Sequence, residues 1–127
     1  LTDLAVHYGQ GPTPCADIAE RQAIPLNYLN QLLIPLRDAG LIRSTRGPNG
    51  GHELARPPEQ ITLSAALEVL EGPLVPSDCL IEPRSTSCEL SARCRLRGVW
   101  EEVRAATERI LNSKTLLDLL PEGGARP

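Results

Sequence analysis

Apolar residues recur through the first 72 positions at helical spacing, and Gly and Pro interrupt them at intervals. Leu1, Leu4 and Ala5 share one helical face, which Gly9-Gln10-Gly11-Pro12 brings to an end. The helical pattern is already running at Leu1 in a chain without methionine, so the sequence reads as beginning inside its first helix. Thr13 followed by Pro14 predicts an N-cap with proline at the first helical position, opening a short helix through Arg21. Ile24 precedes Pro25 and is biased to an extended conformation. Leu26, Leu29, Leu32, Leu33 and Leu36 then mark a second helix, which Gly40 closes in the left-handed conformation. Pro35 removes one hydrogen bond from that helix at a cost of roughly 3 kcal/mol, which predicts a kink and not a break.

The polar positions complete the pattern. Asn27, Asn30, Gln31 and Arg37 fall on the outer face of the second helix, and two short helices joined by a tight turn are the parts of a helix-turn-helix. Residues 41–45 and 52–55 flank the Gly-rich run Arg46-Gly47-Pro48-Asn49-Gly50-Gly51, as in a β-hairpin. Thr62 caps a further helix that buries Leu63, Ala66, Leu67 and Leu70 and stops at Gly72. The expected fold is therefore mainly α with a small β-hairpin wing: a winged helix-turn-helix over residues 1–72. A Pro- and Cys-rich loop follows over 73–97, then a long amphipathic helix and a C-terminal turn over 98–120, which Thr115 caps, and a disordered tail over 121–127. The long helix carries Val99, Trp100, Val103, Ala106, Ile110 and Leu111 opposite Glu101, Glu102, Arg104, Glu108 and Arg109. Such a stripe needs a partner, and the same helix of a second copy supplies one, which predicts a homodimer.

A length of 127 residues suits one small domain with an extension. The net charge of -3 announces no bulk affinity for nucleic acid, so DNA binding must use a local patch. No apolar run approaches the roughly 20 residues of a membrane span, and no leader pattern is visible, which predicts a cytoplasmic protein without membrane contact.

Three of the four cysteines, Cys79, Cys88 and Cys94, lie within sixteen positions in the spacing C-x8-C-x5-C, where Pro83 and several Ser and Thr oppose a regular helix. In a reducing compartment such clusters are more often metal ligands or redox thiols than disulfides. Three soft thiolates suit an iron-sulfur cluster or zinc; three unrelated buried thiols are the plainer alternative. Cys15, in the first turn of a helix and far from the others, reads as structural. Trp100, at helical spacing, reads as core, and His52 as a surface residue beside the turn. Catalysis finds no constellation: His7 and His52 stand in no nucleophile-base arrangement, and neither a P-loop nor G-x-S-x-G is present.

The ordered series I-A-E-R at 18–21, I-P-L-N-Y-L-N-Q-L-L at 24–33, L-R-D-A-G-L-I-R-S at 36–44, R-G-P-N-G-G at 46–51 and L-E-G at 70–72 precedes the cysteine loop and R-G-V-W-E-E-V. The chain thereby resembles the IscR/NsrR/CymR-type family of bacterial winged-helix regulators. The resemblance implies a homodimeric transcription factor, a repressor or activator on double-stranded promoter DNA, whose cysteine loop holds an iron-sulfur cluster of 2Fe-2S or 4Fe-4S type beside the dimer helix. Matched position by position, it makes Asn27, Asn30 and Gln31 base readers and sets Tyr28 and Arg37 near phosphates. It sends Arg46 into the minor groove, with Arg43, Ser44, Gly47, Gly50 and Gly51 completing the wing surface.

Asn and Gln suit the reading task because they pair bidentately with adenine, and Arg suits the negative potential of a narrow minor groove. IscR-like members carry an acidic residue where this chain has Asn30. Some members place a histidine ligand three positions after the last cysteine; here Arg97 stands there, a permanent cation unsuited to a metal. The remaining candidates for a fourth ligand are Asp3 and His7, or locally Asp78, Glu82 and Glu89. Two other functions stay open: a cluster-free regulator of cysteine metabolism controlled by a partner protein, and a zinc-stapled interaction module.

Overall fold

The computed structural model describes residues 1–75 and 93–121. Helices α1 (Thr2–Val6), α2 (Cys15–Gln22) and α3 (Leu26–Asp38) lead into strands β1 (Ile42–Thr45) and β2 (Gly51–Leu54). A 3-10 turn (Pro58–Gln60), α4 (Leu63–Glu71), α5 (Leu96–Ser113) and a last 3-10 turn (Leu116–Leu119) follow. The mainly helical fold with one hairpin is the expected winged helix. α3 continues through Pro35 to Asp38, and Gly40 turns the chain at φ 77°.

β1 and β2 pair antiparallel, with Ile42 opposite Leu54 and Thr45 opposite Gly51. A third segment joins them. Thr13 and His52 exchange backbone hydrogen bonds of 2.9 and 2.8 Å, so the chain just before α2 lies along β2. Thr13 is therefore not the N-cap expected from Thr-Pro: Pro14 holds that place, without a side-chain cap, and the Thr13 backbone is spent on the wing.

The core lies where α1, α2, α3 and α4 meet the base of the hairpin. Leu4, Ile18, Leu29, Leu33, Leu36, Ile42 and Leu54 are all buried there, each such side chain contributing about 1.5–3 kcal/mol by leaving water. Leu26, grouped by periodicity with this stripe, is instead 45% exposed, since the first turn of α3 projects beyond the core. Thr62 caps α4 by accepting from the Ala65 amide at 3.1 Å. Ala66 is buried as expected, but Leu63, Leu67 and Leu70 are only half-buried. After α5 the chain returns to this core. The Leu63 amide donates to the Lys114 carbonyl, the Leu116 amide donates to that of Ile61, and the Leu116 side chain is buried.

No residue of α5 is fully buried, Trp100 included. Arg104, Thr107, Glu108 and Leu111 line a cavity shared with Ser64 and Glu68 of α4. Leu96, Val99, Val103 and Ile110 are exposed. The α5 residues turned to α4 are thus mostly polar, Leu111 apart, and Val103 lies beside Pro73, Leu74 and Val75, while Leu96, Val99 and Ile110 of the apolar stripe stand exposed.

The turn between α2 and α3 is made by Ala23 at φ 53°, ψ 42°. A left-handed conformation costs a residue with a Cβ roughly 1–2 kcal/mol, and glycine avoids that cost while losing more backbone entropy on folding. Ala23→Gly is therefore expected to raise the unfolding free energy by about 0.5–1 kcal/mol, measured by urea denaturation. A variant that is less stable than the parent would contradict this account of the turn.

Candidate nucleic-acid interface

On α3 the buried positions Leu29, Leu33 and Leu36 fix which face turns outward. Asn27, Asn30 and Gln31 lie on that outer face together with Ile34, an apolar residue at 51% exposure that the sequence pattern did not single out. Tyr28 and Arg37 are also exposed. The whole set of expected readers is thereby available to a groove. Asn27 makes no side-chain hydrogen bond among the described residues, whereas the Asn30 Oδ1 accepts from the Cys15 thiol at 3.1 Å.

The wing carries Arg43, Ser44, Arg46 and Gly47, all exposed. Arg43 faces Glu53 across the hairpin, with Nη2 to Oε1 at 3.5 Å, which offsets part of its charge. Arg37 lies 3.6 Å from Asp38. Arg46 makes no ion pair among the described residues, so its cation is the least compensated of the three. Ser44 Oγ and His52 Nδ1 share a hydrogen bond of 2.8 Å. Burial, and then the charge of Arg37, push the His52 imidazole below its ordinary value, so it stays neutral at lower pH than an exposed histidine. His52 is thus a half-buried wing residue and not the surface residue expected.

Gly47 stands in open space at φ 111°. Gly50 and Gly51 behave otherwise: a Cβ at Gly50 would overlap the Thr45 carbonyl, and one at Gly51 would overlap that of Thr13. These two glycines admit the protein's own backbone, one closing the wing tip and the other letting residue 13 lie on β2.

The expected metal ligands Cys79 and Cys88 lie outside the described residues, as do Asp78, Glu82 and Glu89. Cys94 is half-buried, two residues before α5 begins. Among the described residues no three metal-ligating side chains converge. Asp3 and His7 are committed elsewhere. Asp3 is buried and accepts from Arg21 through both oxygens, Oδ1 from Nε at 2.8 Å and Oδ2 from Nη2 at 2.9 Å. The His7 ring bonds the Asp3 carbonyl at 2.7 Å. The Asp3–Arg21 pair ties α1 to α2, and use of Asp3 as a ligand would first require breaking it.

The sequence profile of the Rrf2 family, described as an iron-dependent transcriptional regulator, matches residues 1–122. This chain belongs to the Rrf2 family. The protein rrf2 of Nitratidesulfovibrio vulgaris is 37% identical over 127 residues, covering 100% of this chain and 83% of the relative. The solved structure of CymR, the global cysteine regulator of B. subtilis, superposes with a TM-score of 0.74 at 38% identity, over 93% of this chain and 84% of that one. IscR of T. potens gives a TM-score of 0.70 at 39% identity, over 93% and 75%. The protein is accordingly a transcriptional regulator of this family and not an enzyme. Among the described residues, no helix is long and apolar enough to cross a membrane.

The bonds from Arg21 hold the Asp3 carboxyl below the ordinary aspartate value of 3.8, against the opposing effect of burial. With the folded-state value depressed, the pair's contribution is complete above 3.8 and is lost as pH falls through the folded-state value. Asp3→Asn is expected to lower Tm by several degrees at pH 7, with the gap to the parent closing below about pH 4 as the parent's carboxyl protonates. A gap that stays constant down to pH 2, roughly, would show that charge is not what the pair contributes.

Proposed function

We propose that the protein is a homodimeric, cytoplasmic regulator that binds promoter DNA through α3 and the wing, and that an iron-sulfur cluster on Cys79, Cys88 and Cys94 sets its activity. The observation that carries the DNA-binding part is that Asn27, Asn30 and Gln31 share the outer face of α3, opposite its buried leucines, while the wing that follows exposes Arg46, which makes no ion pair among the described residues. A recognition helix with amides outward reads base edges in the major groove. An arginine on an adjacent hairpin suits the minor groove, where potential is most negative. The exposed stripe Leu96, Val99, Val103 and Ile110 supports pairing of α5 with its copy.

For the cluster, the support is chemical. Three thiols within sixteen residues form a soft donor set, and the family is described as iron-dependent. Bound there, an iron-sulfur cluster supplies a group sensitive to iron-sulfur supply, oxidation and nitric oxide. Cys94 would carry the consequence, because the chain runs from it through Arg95 directly into α5. A shift at that thiol would move the dimer helix, and with it the spacing of the two reading faces. Such a signal acts only through different affinities in two states. The second reading, a cluster-free regulator of cysteine metabolism, is favoured by the 38% identity to a global cysteine regulator.

Two measurements divide these readings. Arg46→Ala is expected to weaken operator binding about tenfold or more and to flatten its salt dependence by about two released counterions per dimer; unchanged binding would remove Arg46 from the interface, and no operator binding by the parent would point to an interaction module that contacts protein. Anaerobically purified protein is expected to hold iron and acid-labile sulfide in matched amounts, lost together in Cys88→Ala. Stoichiometric zinc would leave a zinc-stapled module, and no metal after reconstitution would leave the cysteine-metabolism reading.

A further inference from the structure

The two asparagines on the outer face of α3 are alike in sequence and unlike in structure. Asn27 keeps its whole carboxamide for a ligand, while the Asn30 oxygen is held by the thiol of Cys15, fifteen residues earlier at the start of α2. We propose that Cys15 is a specificity-determining positioning residue: by holding the Asn30 oxygen toward α2, it leaves Asn30 only its amide hydrogens for the major groove, so that Asn30 reads guanine where Asn27 reads adenine. This inference rests on the DNA-binding reading above.

The argument is one of donors and acceptors. Bidentate pairing with adenine requires a carboxamide to accept from N6 and donate to N7 at once, with oxygen and nitrogen both turned to the base. The bond to Cys15 turns the oxygen back toward the protein. What remains is an NH2 group with two hydrogens, and guanine presents two acceptors, N7 and O6, on its groove edge. Adenine would set its own N6 donor against that NH2.

The thiol must act as the donor for this to hold. Burial pushes the Cys15 thiol above its ordinary value, so the proton stays on sulfur at neutral pH. A neutral S–H is a weak donor. The device therefore biases the base choice and does not lock it, and the bias is confined to the one base pair that faces Asn30. The remaining readers, Asn27 and Gln31, have no bond to Cys15 and keep their preferences.

The test is selection of operators from a randomised duplex pool by the reduced, full-length chain and its variants. The base pair read by Asn30 is identified as the one whose preference vanishes in Asn30→Ala. The parent is expected to select guanine there. Cys15→Ala, and Cys15→Val in case the smaller residue fails to fold, are expected to shift the adenine-to-guanine ratio at that pair by about fivefold or more toward adenine, with other positions unchanged. Cys15→Ser keeps a hydrogen-bond donor and is expected to retain guanine. Parent-like preference in both Ala and Val variants, or a uniform loss of affinity at every position, would overturn the proposal while leaving DNA binding intact. Absence of any selected sequence with the parent chain would overturn the DNA-binding reading as well, and so distinguishes the two failures.

Discussion

The pairing of the Thr13 backbone with His52 is the constraint on which the arrangement of this protein depends. Two hydrogen bonds attach the segment entering α2 to the second strand of the wing, and they form only because Gly51 offers no Cβ to the Thr13 carbonyl. α2 in turn packs on α3 through the core around Ile18 and Leu29. The hairpin is thus fixed to the helix-turn-helix, as the proposed joint use of the α3 amides and Arg46 on DNA requires. A free hairpin of two four-residue strands would be marginal in water. Here it is docked on a third segment and on the core through Ile42 and Leu54.

A second division of labour runs along α5. A helix that buried its whole apolar stripe against its own domain would enlarge the core of one chain; here Leu96, Val99 and Ile110 face out, and the cavity-lining side carries Arg104 and Glu108 joined by an ion pair of 3.6 Å. The return of Leu116 to the core anchors the far end of that helix to the winged domain. Its other end begins two residues after Cys94, so α5 joins the segment that carries this thiol to the winged domain. Under the proposed function, that connection is the route by which a ligand held near Cys94 would act on DNA binding without touching DNA.

Much of this was legible in the sequence because it rests on local chemistry. The leucine spacing marked α3 and its buried face, Thr62 and Gly72 bounded α4, and the Gly-rich run marked the hairpin. The order of these pieces carried the family resemblance. What was hidden depends on contacts between residues distant in the chain. Thr13 read as a cap because a Thr-Pro pair looks the same whether or not its backbone is engaged by a strand 39 positions later. The resemblance set Gly50 and Gly51 on the wing surface, and what it did not reveal is that they make room for the protein's own carbonyls. No periodicity joins Cys15 to Asn30, and Asp3 looked like a spare carboxylate until Arg21 was found on it.

The most direct test of the account is the operator affinity of one preparation measured anaerobically with its cluster intact and again after the cluster is removed, over a series of salt concentrations. The account predicts that the two forms differ in affinity at every salt concentration while each retains a salt dependence that reports phosphate contacts. Equal affinities across the series, from protein that held matched iron and sulfide before removal, would contradict cluster control of DNA binding.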